Sequence, residues 1–222
     1  MKALFLIFLL CFSTLILSAD EETLRWQKSG DEDGISTFYR KMPGSPLYAL
    51  KGLGNIDAPL WKVASVLLDT KRAFEWVDSL EESTMLKRLN PFTYIEYNHI
   101  RTPFILKDRE FVTQVEIKID PDKKSFSLNY SPTSLPGPKT DFVRGEIAFG
   151  IMKLTSIEGG KKSFIDGELH CDPKGSIPNW VVNLFQKNWP RNTIEGIRKQ
   201  AAKKNIAIPE EFKTVIEKTT RF

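Results

Sequence analysis

The chain has 222 residues, a formal net charge of +4 and a pI ≈ 8.9. So mild an excess excludes the basic patches of a nucleic-acid binder and suggests no strongly acidic partner. Of the two cysteines, Cys11 lies in an apolar leader and Cys171 stands alone, so packing must hold the core without a disulfide.

Residues 1–19 read as a secretory signal: Lys2, an uncharged apolar run from Ala3 to Leu17, then the small residues Ser18 and Ala19. Export to a periplasm or to the outside is expected. An uncleaved N-terminal membrane anchor is the alternative, although the run is shorter than the roughly 20 residues a spanning helix prefers. Bulky Leu10 before Cys11 argues against a lipoprotein signal. The segment 20–222 is then a single domain, long enough to bury about 70% of its unfolded surface.

In chain order, Glu21 to Lys28 reads as a short helix carrying Leu24 and Trp26. Gly34–Lys41 alternates with period two and turns at Pro43-Gly44-Ser45-Pro46 into a second strand, Leu47–Ile56. Asp57 is placed to cap a helix over Ala58–Leu68, with Pro59 early in it. A helical turn follows through Phe74 and Trp76. Strands are expected over Glu82–Leu89, Thr93–Arg101, Glu110–Ile119, Ser125–Tyr130, Thr140–Ile157 and Lys161–Cys171. Turns at Asp120-Pro121-Asp122 and Glu158-Gly159-Gly160 separate the later ones.

The break at Asp172-Pro173-Lys174-Gly175 leads into a long helix. Ser176 stands at its N-cap and Pro178 in its first turn. Val181, Val182, Leu184, Phe185, Trp189, Ile194 and Ile197 recur at spacings of three and four, so one face is buried. Pro190 should kink this helix, because proline removes a donor and crowds the preceding turn.

Several stretches, in order and at matching spacing, resemble the steroidogenic-acute-regulatory-protein-related lipid-transfer (START) domain family. They are Asp33–Ile35 with Phe38–Arg40, Lys51–Pro59 (KGLGNIDAP), Leu67–Val77 (LLDTKRAFEWV), Asp108–Val112 (DREFV), Asp141–Gly150 (DFVRGEIAFG) and Asp172–Asn183 (DPKGSIPNWVVN). The resemblance implies an α+β helix-grip fold, with a curved antiparallel sheet wrapped around the C-terminal helix and an internal hydrophobic tunnel between them. Burying on the order of 400 Å² of apolar ligand surface there would contribute about 10 kcal/mol before the costs of binding.

The resemblance also implies ligand-binding residues: Arg109, Glu96, Arg144, Tyr130, Val181, Phe185 and Trp189. In the family an arginine in the position of Arg109 faces the tunnel opposite a carboxylate. The expected acidic position falls near Asn90 and Pro91, leaving Glu96 as the nearest substitute. Bonding of Arg109 to backbone carbonyls at a strand start is the competing reading. Arg144 either pairs with Glu146 on one strand face or meets a polar headgroup. The apolar triplet Phe104, Ile105 and Leu106 corresponds to the loop covering the tunnel mouth, and would be a gate making transient membrane contact. Lys187, Arg191, Arg198, Lys199, Lys203 and Lys204 form either a solvated helix face or an attraction for anionic headgroups.

Catalytic signals are thin. His99 and His170 do not converge, nitrogen and sulfur ligands are too few for a metal site, and neither a nucleophile elbow nor a dinucleotide loop occurs. No cofactor is expected. The leading expectation is a monomeric, non-enzymatic module that binds and transfers a lipid or similar hydrophobic molecule. An enzyme acting on a hydrophobic substrate in the same cavity, with His99 or Arg109 meeting it, is the alternative. A ligand-responsive interaction protein is a third.

Overall fold

The computed structural model describes residues 24–102 and 106–222. Alternating apolar positions build ten strands into one curved sheet. The first three are β1 (Gln27–Glu32), β2 (Ile35–Met42) and β3 (Ser45–Ile56). After α1 (Leu60–Leu68) and a 3₁₀ turn (Thr70–Glu75) come β4 (Leu80–Asn90), β5 (Thr93–Ile100), β6 (Arg109–Asp120) and β7 (Ser125–Pro132). Then follow β8 (Val143–Arg144), β9 (Glu146–Ile157) and β10 (Lys162–Asp172). The chain continues through α2 (Asn179–Gln186), α3 (Trp189–Ala202), a 3₁₀ turn (Glu210–Phe212) and α4 (Lys213–Glu217). Sheet order is β1-β2-β3-β10-β9-β7-β6-β5-β4 with antiparallel neighbours, and β8 alone runs parallel to β6. The sheet stays open between β1 and β4.

What grips the helix is a lack of side chains. Gly52 of β3 pairs with Gly167 of β10, and Gly54 pairs with Ile165. A Cβ on Gly52 would lie 2.9 Å from Pro190 Cβ and 3.0 Å from Ile194 Cδ1, and one on Gly54 3.2 Å from Ile194 Cγ2. The glycine patch therefore lets α3 approach almost to backbone contact. The helix reciprocates at Gly196, where a Cβ would stand 2.2 Å from the Trp76 carbonyl oxygen. Ile194, Ile197 and Ala201 then close a core with Ile35, Val63, Phe126, Leu154 and Ile165.

Basic residues of α3 fasten it to the β1–β2 turn. Arg191 pairs with Glu32, Asp33 and Glu195, and Arg198 donates to the carbonyls of Asn55, Asp33 and Gly34. Lys203 pairs with Glu75. These three cations are engaged as clamps, which departs from both readings of the basic face. Lys187, Lys199 and Lys204 make no ion pair among the described residues.

Other departures from expectation have local causes. Leu24–Trp26 is not helical, and Gln27 already pairs with Tyr39, because Trp26 stacks under the Arg40 guanidinium on the convex face. Glu21–Thr23 of the expected helix lie outside the described residues. Pro59, not Asp57, holds the N-cap position of α1, and Asp57 instead meets Lys162 at 3.3 Å. Thr140–Ile157 is not one strand: it breaks at Gly145, where a Cβ would fall 2.3 Å from the Phe111 ring. Pro178, not Ser176, occupies the N-cap position of α2. The long final helix is two helices, because Pro190 opens α3 in its first turn instead of kinking a continuous helix. The unassigned C-terminus adds Phe212, Val215 and Ile216 to the core.

Gly196→Ala should therefore destabilise the fold by at least ~2 kcal/mol, because its obstacle is backbone at 2.2 Å, and Gly52→Ala by less, about 1–2 kcal/mol, because the Pro190 ring and Ile194 stand farther off at 2.9 and 3.0 Å. Denaturant midpoints of the two variants test this order. Equal stability of Gly196→Ala and the parent would refute the packing argument.

Candidate functional site

One end of the sheet gathers the ends of β5, β7 and β10 and the starts of β3, β6 and β9, and α2 lies across it. Asn183 Oδ1 accepts the Tyr48 N–H at 3.1 Å, and its Nδ2 donates to the Pro46 carbonyl at 3.1 Å. Gln186 Nε2 donates to the Cys171 carbonyl at 3.2 Å. Toward the other end the concave face is filled: Val115, Ile117, Phe126, Leu128 and Leu154 are all fully buried. Toward α2 the packing loosens, and Asn98, Tyr130 and Leu169 are only half-buried. Beneath α3 the remaining space is a narrow cleft with no room for a water-sized group, with Gly52, Gly167, Trp189 and Ile194 among its walls.

The register puts a buried polar cluster on the concave face, beside its half-buried part. Glu96 pairs with Thr113, Tyr94 with Val115, and Val115 with Tyr130, so these side chains share a face. Glu96 is 7% exposed. Its carboxyl accepts from Asn98 Nδ2 at 3.0 Å and is reached by the Ser83 hydroxyl. Burial outweighs both hydrogen bonds and raises its pKa to about 7. Burial, with Glu96 nearby, also raises the Tyr130 and Tyr94 phenols. The hydroxyls of Tyr94 and Thr113 are buried without a hydrogen-bond partner. Each is a desolvated polar atom whose cost a ligand group would relieve.

Arg109 and Glu96 do not pair. The Arg109 guanidinium donates to the carbonyls of Lys107 (2.5 Å), Lys174 (3.3 Å) and Pro173 (3.4 Å). Arg144 lies on the convex side, where Nε and Nη2 both reach Glu110 Oε1 at 3.0 and 2.8 Å. Glu146 pairs with Lys174 instead of Arg144. Val181 is half-buried on α2, Phe185 is exposed, and Trp189 lines the cleft. Phe104 and Ile105 lie outside the described residues, and Leu106 is exposed. Tyr94, Thr113, Asn98 and Ser83 were not singled out from sequence. The alternation around Glu96 was the available signal, but Tyr94, Ile95, Glu96 and Tyr97 are all buried, so both faces of β5 are covered.

The concave, half-filled face with one buried acid invites comparison with known proteins. The START domain family model matches residues 8–201. The chain belongs to the START domain family. It is 27% identical over 180 residues to an uncharacterized protein of Pseudomonas aeruginosa, covering 81% of this chain and 88% of that one. It is 28% identical to mouse START domain-containing protein 10 over 73% of this chain, which spans 56% of that relative. Among solved structures, human STARD10 superposes with a TM-score of 0.73 at 22% identity, covering 84% of this chain and 78% of that one. Human StAR-related lipid transfer protein 5 gives 0.72 at 17% identity, covering 90% and 98%. These START structures establish the helix-grip fold, and the family generally binds and transfers lipids.

Glu96 gives this START domain a pH signature. A folded-state pKa above the unfolded value means the folded state holds the proton longer, so the contribution of Glu96 to stability is greatest below about pH 4.5 and is lost as pH rises toward 7. The loss is roughly 3 kcal/mol across that window. Glu96→Gln should flatten this part of the profile, measured as denaturant stability at pH 4.5 and pH 8 in variant and parent. Parallel profiles would show that Glu96 is not the titrating group.

Proposed function

We propose that this START domain binds one hydrophobic lipid-like molecule against the concave face and carries it between membranes without chemical turnover. The observation that carries the reading is the polar cluster beside the loosened end. A lone buried carboxyl, two orphaned hydroxyls and the Tyr130 phenol sit at the end of an otherwise apolar surface. Such a surface suits a long apolar body with one hydrogen-bonding end. Among the described residues no guanidinium or ammonium is bonded to Glu96, so the polar end of the ligand is best served by a hydroxyl, amide or other donor, not a second carboxylate.

The apolar body has walls in Val181 and Trp189, together with the half-buried Leu169, whereas Phe185, expected among them, faces outward. Passage to it runs past α2, whose outer face carries Trp180 (70% exposed), Leu184 and Phe185, with Leu106 exposed on the connection into β6. Lys107 and Lys187 flank these residues, exposed and without ion pairs among the described residues. An apolar crown edged with cations suits brief contact with an anionic bilayer surface.

Nothing favours turnover. His99 points to the convex side, where its Nε2 lies 2.8 Å from Asp108 Oδ2 and its ring stacks on Phe142. Burial pushes the Cys171 thiol up to about 12, far from a thiolate.

Lipid extraction and mass spectrometry of the purified domain should recover a bound lipid with a donor group in its head. Glu96→Leu should weaken binding of that lipid by ~1.5–3 kcal/mol while the fold persists. Absence of bound lipid, with no uptake of fluorescent lipids from vesicles, would overturn the proposal. A Trp180→Ser, Phe185→Ser double variant should slow vesicle-to-vesicle transfer more than it lowers equilibrium affinity. Unchanged transfer rates would remove α2 from the membrane-contacting surface.

A further inference from the structure

Among the described residues Arg109 is the one buried arginine or lysine, at 5% exposure, and it makes no ion pair. Its neighbour Asp108 is occupied, since Oδ2 meets His99 and Oδ1 accepts the Thr102 N–H at 2.8 Å. The guanidinium is therefore satisfied by neutral carbonyls alone, and these belong to two separate stretches. One acceptor, Lys107, leads into β6. The other two, Pro173 and Lys174, form the turn that leads from β10 to α2.

That turn is shaped to lie on the guanidinium. Lys174 and Gly175 both take the left-handed conformation, with φ of +51° and +77°. A Cβ on Gly175 would lie 3.1 Å from Arg109 Nη2, so a side chain there would press on the guanidinium. Asp172 Oδ1 accepts the Lys174 N–H at 2.8 Å and tightens the same turn. Beyond it, α2 is held by side-chain hydrogen bonds from Asn183 and Gln186, whereas α3 is fixed by glycine contacts and by two ion pairs from Arg191 to the β1–β2 turn. The helix over the loosened end is thus the lightly held one, and Arg109 stands at its leading hinge.

We propose that Arg109 is a positioning residue: it pins the 173–175 turn to the start of β6 and so sets the closed placement of α2 over the concave face, without touching ligand. A guanidinium suits this role because its rigid planar array of five donors holds acceptors on two stretches in fixed directions. Lysine has the charge but no rigid fork.

Hydrogen exchange on the ligand-free full chain tests this, and so stands apart from whether the domain binds lipid. In Arg109→Leu, exchange over 173–186 and at 106–108 should rise about tenfold together, while α3 and the central strands keep the parent rates. Arg109→Lys should restore only part of the protection. Asn183→Ala should loosen α2 alone, leaving 106–108 unchanged. A uniform rise that includes α3 would show a merely structural residue and overturn the proposal. So would unchanged exchange over 173–186, or loss of lipid affinity with unchanged exchange, which would make Arg109 a ligand contact. If Arg109→Leu fails to fold, Gly175→Ala tests the same pin by pressing the turn off the guanidinium, and absence of a local rise there overturns it equally.

Discussion

The close approach of α3 to the glycine floor of β3 and β10 governs the rest of the molecule. With Gly52 and Gly167 face to face, the sheet presents backbone where a helix can settle, and Pro190 and Ile194 fill that space. The approach leaves only a narrow seam under α3, with no room for a water-sized group. Pockets for small molecules run from about 300 Å³ upward, so the grip closes the middle of the concave face to a lipid. Toward α2 side chains on the concave face are half-buried and the covering helix is short, which is where the proposed ligand would enter. The tight contact and the loose end thus have one cause: a helix drawn in at its middle cannot also fill the end of a curved sheet.

Charge is distributed between the two faces in a way that sharpens the polar end. On the convex side, carboxylates have cations: Lys51 meets Asp166 and Glu168, and Arg144 meets Glu110. Arg191 and Arg198 are spent on the β1–β2 turn, and Arg109 on carbonyls. Glu96 is left on the concave face with hydrogen-bond donors but no countercharge, and its raised pKa is the direct result. A carboxyl that keeps its proton up to about pH 7 can donate as well as accept, which suits a hydroxyl or amide group and disfavours a phosphate brought into the same space.

Much of the fold was legible because period-two alternation and turn residues specify strands locally. The strands from β2 to β7 and β10 fall within about two residues of their expected bounds, as boundary fraying allows. What failed depended on contacts far along the chain. Val143-Arg144-Gly145-Glu146 reads as uninterrupted strand until the Phe111 ring is placed against Gly145. Trp26 reads as helical until Arg40 stacks on it. Phe212, Val215 and Ile216 carry helical spacing in too short a run to stand out, and only the core they cap gives them meaning. In the site, Glu96 was identifiable as an acid in an apolar strand. Its partners were not, since register with β6 and β7 decides which hydroxyls share its face. Arg109 kept both readings open for the same reason: its acceptors lie 64 and 65 residues away in the chain.

The break at Lys187–Asn188 ties these points together. A continuous helix from Asn179 to Ala202 would transmit the grip of the glycine floor directly to the segment over the loosened end, and opening would require prising α3 from the core. Pro190 prevents continuity, because it has no N–H for a preceding turn to bond, yet it is tolerated in the first turn of a new helix. The same proline is the residue that rests on Gly52. One side chain therefore both seats α3 and releases α2 from it. With α3 fixed by packing that costs several kcal/mol to disrupt, and α2 held by buried Val182 and a few hydrogen bonds each worth about 1 kcal/mol, opening at α2 would be the less costly of the two.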